Sequence, residues 1–108
     1  MAKMTFDEVI EKISDGYFVK RSDIQSRALT RKVWLAEWHI PGCMSESQMF
    51  ATTKHEAIQC AMSMAETENG IPRGMRTALR RNGRFDCQTE MFGAVINTVS
   101  RMSLSDLI

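Results

Sequence analysis

The chain has 108 residues, 44% hydrophobic and 25% charged, with a formal net charge of +1. That length suits one domain with one modest core, and the near-neutral balance excludes a partner chosen by bulk charge. No apolar run approaches the roughly 20 residues that span a bilayer, and Met-Ala-Lys-Met-Thr passes straight into an amphipathic pattern, so neither membrane span nor signal peptide is expected.

In chain order, Thr5 opens a first helix. Thr5 and Glu8 have capping-box spacing, Met4 and Val9 are placed for a hydrophobic staple, and Phe6, Val9, Ile10 and Ile13 form the apolar stripe that stops at Gly16. Tyr17, Phe18 and Val19 are β-prone and predict a short first strand. Lys20 to Lys32 carries Lys20, Arg21, Arg27, Arg31 and Lys32 against one Asp23. It reads either as a long turn or as an edge strand around Ile24 to Leu29, guarded by its charges.

Val33 to Ile40 alternates with period two and predicts a strand. Trp34, Ala36, Trp38 and Ile40 are assigned to the core, while Val33, Leu35, Glu37 and His39 form a half-covered face. Pro41-Gly42 ends the strand, Cys43 to Ser47 reads as a loop, and Gln48 to Thr52 as a returning strand. Thr53 and Glu56 cap a helix whose inner face is Ala57, Ile58, Ala61, Met62 and Ala65. Asn69-Gly70 is expected to end it, and Pro72 to open a short helix with Met75, Ala78 and Leu79 inward, stopped by Asn82-Gly83. Arg84 to Gln88 reads as a connector. Thr89 to Met102 reads as a final helix, because Phe92, Val95, Ile96, Val99 and Met102 recur at i, i+3, i+4 and i+7. Ser103 to Ile108 is a tail.

The expected fold is therefore α+β and a single domain over 1–108. A small antiparallel sheet of two or three strands carries helices on one face, in the order α-β-β-(β)-α-α-α.

Motifs for chemistry are sparse. His39 and His55 occur without CxxC, HxxxH or HExxH spacing, so no metal and no cofactor is expected. No glycine-rich loop leads into GK[ST]. Cys43, Cys60 and Cys87 form an odd, widely spaced set, which reads as reduced thiols of a cytoplasmic protein. A thiol enzyme would need Cys43 near His39, or Cys87 activated beside Arg84. The 9 methionines include adaptable contact residues as well as core filler.

The strongest functional signal is basic. Arg73, Arg76, Arg80, Arg81 and Arg84 run without an intervening acid, and the first three share a helix face. A planar guanidinium takes two oxygens of a phosphate or carboxylate at once. The plain alternatives are a solvated helix face, or arginines paired with Glu66, Glu68 or Glu90. Trp34 and Trp38 are assigned to the core, leaving Tyr17 and Phe85 for base stacking.

The segment Phe50-Ala51-Thr52-Thr53-Lys54-His55-Glu56-Ala57 resembles the strand-then-capped-helix step of double-stranded-RNA-binding and integrase arm domains. The lysine cluster that opens the RNA-binding helix is missing from Ala57 to Ala65, so no residue roles are carried over. In build alone, the chain is similar to small phage-encoded inhibitors such as anti-CRISPR proteins. The expectation is a non-enzymatic binding protein, an inhibitor or accessory factor of phage or mobile-element type, that occludes a host protein or nucleoprotein complex. The alternative is a small DNA- or RNA-binding regulator using the arginine-rich helix. A homodimer is open to the chain through its amphipathic last helix and an exposed strand edge.

Overall fold

Two hairpins make the sheet, and both are closed by glycine at positive φ. Ile40-Pro41-Gly42-Cys43 forms a turn in which the Cys43 amide donates to the Ile40 carbonyl at 3.0 Å, with Gly42 at φ +85. Proline at the second position and a left-handed glycine at the third specify a type II turn. The structure, a computed structural model, describes residues 2–43 and 46–108, so Met44 and Ser45 of the expected Cys43–Ser47 loop lie outside the described residues.

The elements run α1 (Phe6–Ser14), a 3₁₀ turn (Arg21–Asp23), α2 (Ser26–Leu29), β1 (Lys32–His39), β2 (Glu46–Ala51), α3 (Lys54–Ala65), α4 (Met75–Asn82), β3 (Arg84–Thr89), β4 (Gly93–Ser103) and α5 (Leu104–Leu107). All strand pairs are antiparallel, in the order β2-β1-β4-β3. The α+β class stands. The sheet has four strands where two or three were expected, and the second hairpin replaces the expected connector and last helix.

The reason lies in residue type. Val95, Ile96, Thr98 and Val99 are β-branched, losing side-chain freedom in a helix and packing well on a pleated surface. Gly93 at φ +69 closes the three-residue turn Glu90-Met91-Phe92, where the Thr89 hydroxyl accepts from the Phe92 amide at 3.0 Å and donates to the Gly93 carbonyl at 3.1 Å. The helical spacing of Phe92, Val95, Ile96, Val99 and Met102 is therefore coincidental. In β4, Val95 and Val99 share a face, and Ile96 and Met102 lie on the other.

Helices cover both faces, where one was expected. Trp34 and Ala36 of β1, with Ala51 and Val99, pack against α3 and α4 through Ala57, Ile58, Ala61, Met62, Met75 and Leu79. Val33 and Leu35 pack on the other side against Phe6, Val9, Ile10, Ile24, Ala28 and Leu104. The expected assignment of Val33 and Leu35 to a half-covered face is thus corrected, since both are fully buried.

Local caps follow the sequence closely. Thr5 and Glu8 form a complete capping box on α1, and the Thr53 side chain accepts from the Glu56 amide on α3. Tyr17 to Val19 is not a strand; Phe18 is 88% exposed while Val19 is buried. Lys20 to Lys32 is neither a long turn nor an edge strand. It forms the 3₁₀ turn and α2, then enters β1. α3 stops at Ala65, before Asn69-Gly70, which instead closes a tight turn with reciprocal Thr67–Gly70 backbone bonds of 2.8 and 3.1 Å. The tail docks as α5, with Leu104 buried and the Arg21 guanidinium donating to the Ser105 and Ile108 carbonyls.

Gly83 closes α4 at φ +70, and a Cβ built there would lie 2.9 Å from the Val99 carbonyl oxygen. Gly83→Ala should therefore destabilise by more than the about 1–3 kcal/mol of a forced left-handed backbone. Gly70→Ala, at φ +89 with nothing within 4 Å, should lose only that backbone contribution. Urea unfolding of the two variants checks the ranking.

Candidate functional site

The basic site is built on α4 and the sheet face beneath it. α4 buries Met75 and Leu79, one turn apart, and this turns Arg76, Arg80 and Arg81 outward. Arg73 sits in the turn before α4 and is also exposed. Among the described residues, none of these four arginines has a carboxylate partner.

Arg84 is placed differently. It pairs with Thr98, whose side chain faces away from the α3–α4 layer. Its guanidinium holds Asp86 at 2.7 and 3.2 Å. That hydrogen bond and its charge raise the Arg84 pKa, and the same hydrogen bond chiefly lowers that of Asp86. Arg84 is thus separated from the other four and already matched.

Three cations take its place on the Trp34 side of the sheet, and two of them lie over its ring. The β1–β4 register sets Arg101 directly opposite Trp34, with its guanidinium carbon 5.5 Å from the ring centroid. The Lys54 ammonium lies 5.9 Å from the same centroid and donates to the Arg80 carbonyl at 2.9 Å. Lys32 precedes Trp34 by two residues, so it shares the face, and it reaches the Ser103 hydroxyl at 3.3 Å. Cations within about 6 Å of an indole face are attracted by its quadrupole. Lys54 also answers the exposed carbonyls at the end of α4, where the helix dipole is negative.

Trp34 is half-buried and so is not wholly committed to the core. Of the basic Lys20–Lys32 run, Lys32 lies on this face. Arg21 holds the tail, Arg31 lies over the Phe6 ring at 4.1 Å, and Arg27 bonds Gln25, all on the layer across the sheet. Tyr17, a stacking candidate from sequence, carries Lys12 at 4.9 Å from its ring. Sequence spacing had no means of finding Arg101, which only strand register brings to Trp34, whereas Lys32 is placed by the period of two along β1.

The thiols do not assemble with the histidines. Cys87 faces the α3–α4 side of the sheet, whereas His39 opposes Ile96 on the other face. Cys43 is exposed after the Pro41-Gly42 turn, and His55 is exposed on α3. Among the described residues, no three His, Cys, Asp or Glu side chains are grouped to hold a metal ion. None of the described helices is long and apolar enough to cross a membrane.

No protein-family model, curated protein or solved structure matches this chain.

Two outcomes follow. Lys54→Met should cost about 0.5–1.5 kcal/mol in urea unfolding, from the lost helix-end and indole contacts. Burial, then Glu56, pushes the Cys60 thiol pKa up, so less thiolate is present at a given pH. Maleimide mass spectrometry near pH 7 should find Cys43 modified before Cys60, with Cys60 labelling accelerating as pH rises.

Proposed function

We propose that this chain is a non-enzymatic binding protein that grips an anionic surface through the α4 face, and so occludes a host protein or nucleoprotein complex. The specific form is an inhibitor or accessory factor of phage or mobile-element type. One observation carries the reading. Among the described residues, Arg73, Arg76, Arg80 and Arg81 stand exposed without carboxylate partners, and the far end of α4 meets Lys54, which lies with Arg101 at Trp34. A molecule of formal charge +1 that exposes unmatched guanidinium groups along α4 carries an uneven field, and such a field steers docking more than it adds affinity. The revised contact set omits Arg84 and adds the cations at Trp34.

A second reading, direct binding of DNA or RNA, is favoured by Trp34. A half-buried indole bracketed by Lys54 and Arg101 combines a ring face with phosphate-binding groups. Salt separates the two readings. Contacts with about six phosphates lose roughly 10³-fold in affinity between about 50 and 200 mM salt. Protein contacts at an arginine rim respond less steeply.

Arg76→Glu with Arg80→Glu should abolish partner capture, measured by pull-down and calorimetry. Because both side chains are exposed, stability should change by no more than about 0.5 kcal/mol per site. Retained capture at unchanged stability would show that this face is merely solvated.

A further inference from the structure

A cleft of ≈ 730 Å³ opens on the α3–α4 side of the sheet, between the β3–β4 hairpin and the 66–73 loop. That size lies within the about 300–1,000 Å³ of small-molecule sites. Asn97 lines it. This residue is 1% exposed, and neither its Nδ2 nor its Oδ1 has a hydrogen-bond partner among the described residues. Buried amides are ordinarily paired, so a donor and an acceptor left unpaired side by side behind the cleft wall call for a complement.

The surroundings define that complement. Asn97 sits between Trp38 on β1 and Phe85 on β3 by register. Trp38 is half-buried in the cleft wall. It meets Phe92 edge-on, with centroids 5.5 Å apart at 85°, and Phe92 is itself 48% exposed at the lip. These rings suit a flat guest. An alkyl guest would leave the Asn97 amide unanswered, and a guanidinium, which only donates, would leave its Nδ2 unanswered. A ring edge with a donor beside an acceptor answers both atoms, as adenine does for asparagine in duplex recognition. The lining includes Glu66, Glu68 and Glu90 but only one arginine, Arg73, and this excess of carboxylates opposes a phosphate.

We propose that this cleft binds an uncharged aminopurine or aminopyrimidine, as free base or nucleoside, with its amino edge on the Asn97 amide and its plane against Trp38. Arg73 is shared between this rim and the basic face, but the cleft's recognition rests on Asn97 and Trp38 and does not need the basic face to bind a partner.

The test uses the full chain with adenosine, cytidine and their 5′-monophosphates as probes. In ¹H–¹⁵N spectra of the unaltered protein, a nucleoside should shift the Asn97 side-chain NH₂ resonances. Indole fluorescence in a Trp34→Phe background should be quenched with the same midpoint. The monophosphate should bind more weakly, and Asn97→Val should reduce nucleoside affinity by about tenfold or more. The ligand-free Asn97→Val protein should melt higher than the parent, because an unanswered buried amide has been removed. Unmoved Asn97 resonances at millimolar adenosine and cytidine would overturn the proposal, as would monophosphates binding at least as well as nucleosides. So would a lower melting temperature for Asn97→Val with nucleoside binding retained, which would make Asn97 a structural residue.

Discussion

The ladder between β1 and β4 is the constraint on which the remaining structure depends. Its eight residue pairs run from Lys32–Ser103 to His39–Ile96. At its centre, Ala36 and Val99 are packed on one face, and Leu35 is buried on the other. A slip of one residue would carry each of these side chains to the opposite face, so burial on both sides fixes the register. The same ladder sets Arg101 beside Trp34 and Asn97 beside Trp38, and both candidate sites inherit their composition from it.

α3 and α4 then divide that sheet face. Alanines at 57 and 61, both fully buried, let α3 lie close over Ala36 and Ala51. α4 is anchored by Met75 and Leu79 and tied to β4 where Gly83 accepts from the Val99 amide at 2.9 Å. Cations collect towards the Trp34 end, at the start of α3 and the end of α4. The cleft opens at the other end, where the chain loops from α3 to α4 past the β3–β4 turn. Opposite chemistries follow: a cation-rich surface at one end, and at the other an apolar hollow with a carboxylate rim.

Some of this was legible beforehand because its causes are local. The capping box of α1, the Thr53 cap of α3, the Pro41-Gly42 turn, the alternation of β1 and the inward face of α3 each rest on residues a few positions apart. Arg73, Arg76, Arg80 and Arg81 were visible as one basic run and remain exposed on one unit. Arg84 was in the same run, but strand alternation turns it to the opposite face, where Asp86 answers it. The second hairpin was misread because spacing was given more weight than residue type. The alternation of Phe85 and Cys87 with Asp86 and Gln88, and the β-branched run in β4, both pointed to strands.

By itself the sequence determined the α+β class, the first hairpin with its capped helix, and a cluster of arginines in a nearly neutral chain. These depend on short-range periodicity, turn chemistry and composition, which a linear string carries in full. Tertiary structure alone decided that helices cover both faces, that Lys54 and Arg101 lie over Trp34, and that Asn97 is buried beside Trp38 without a partner among the described residues. The physical reason is that β1 and β4 are about sixty residues apart and meet only through strand pairing. Which side chains face one another across that ladder is set by how both sheet faces are buried together.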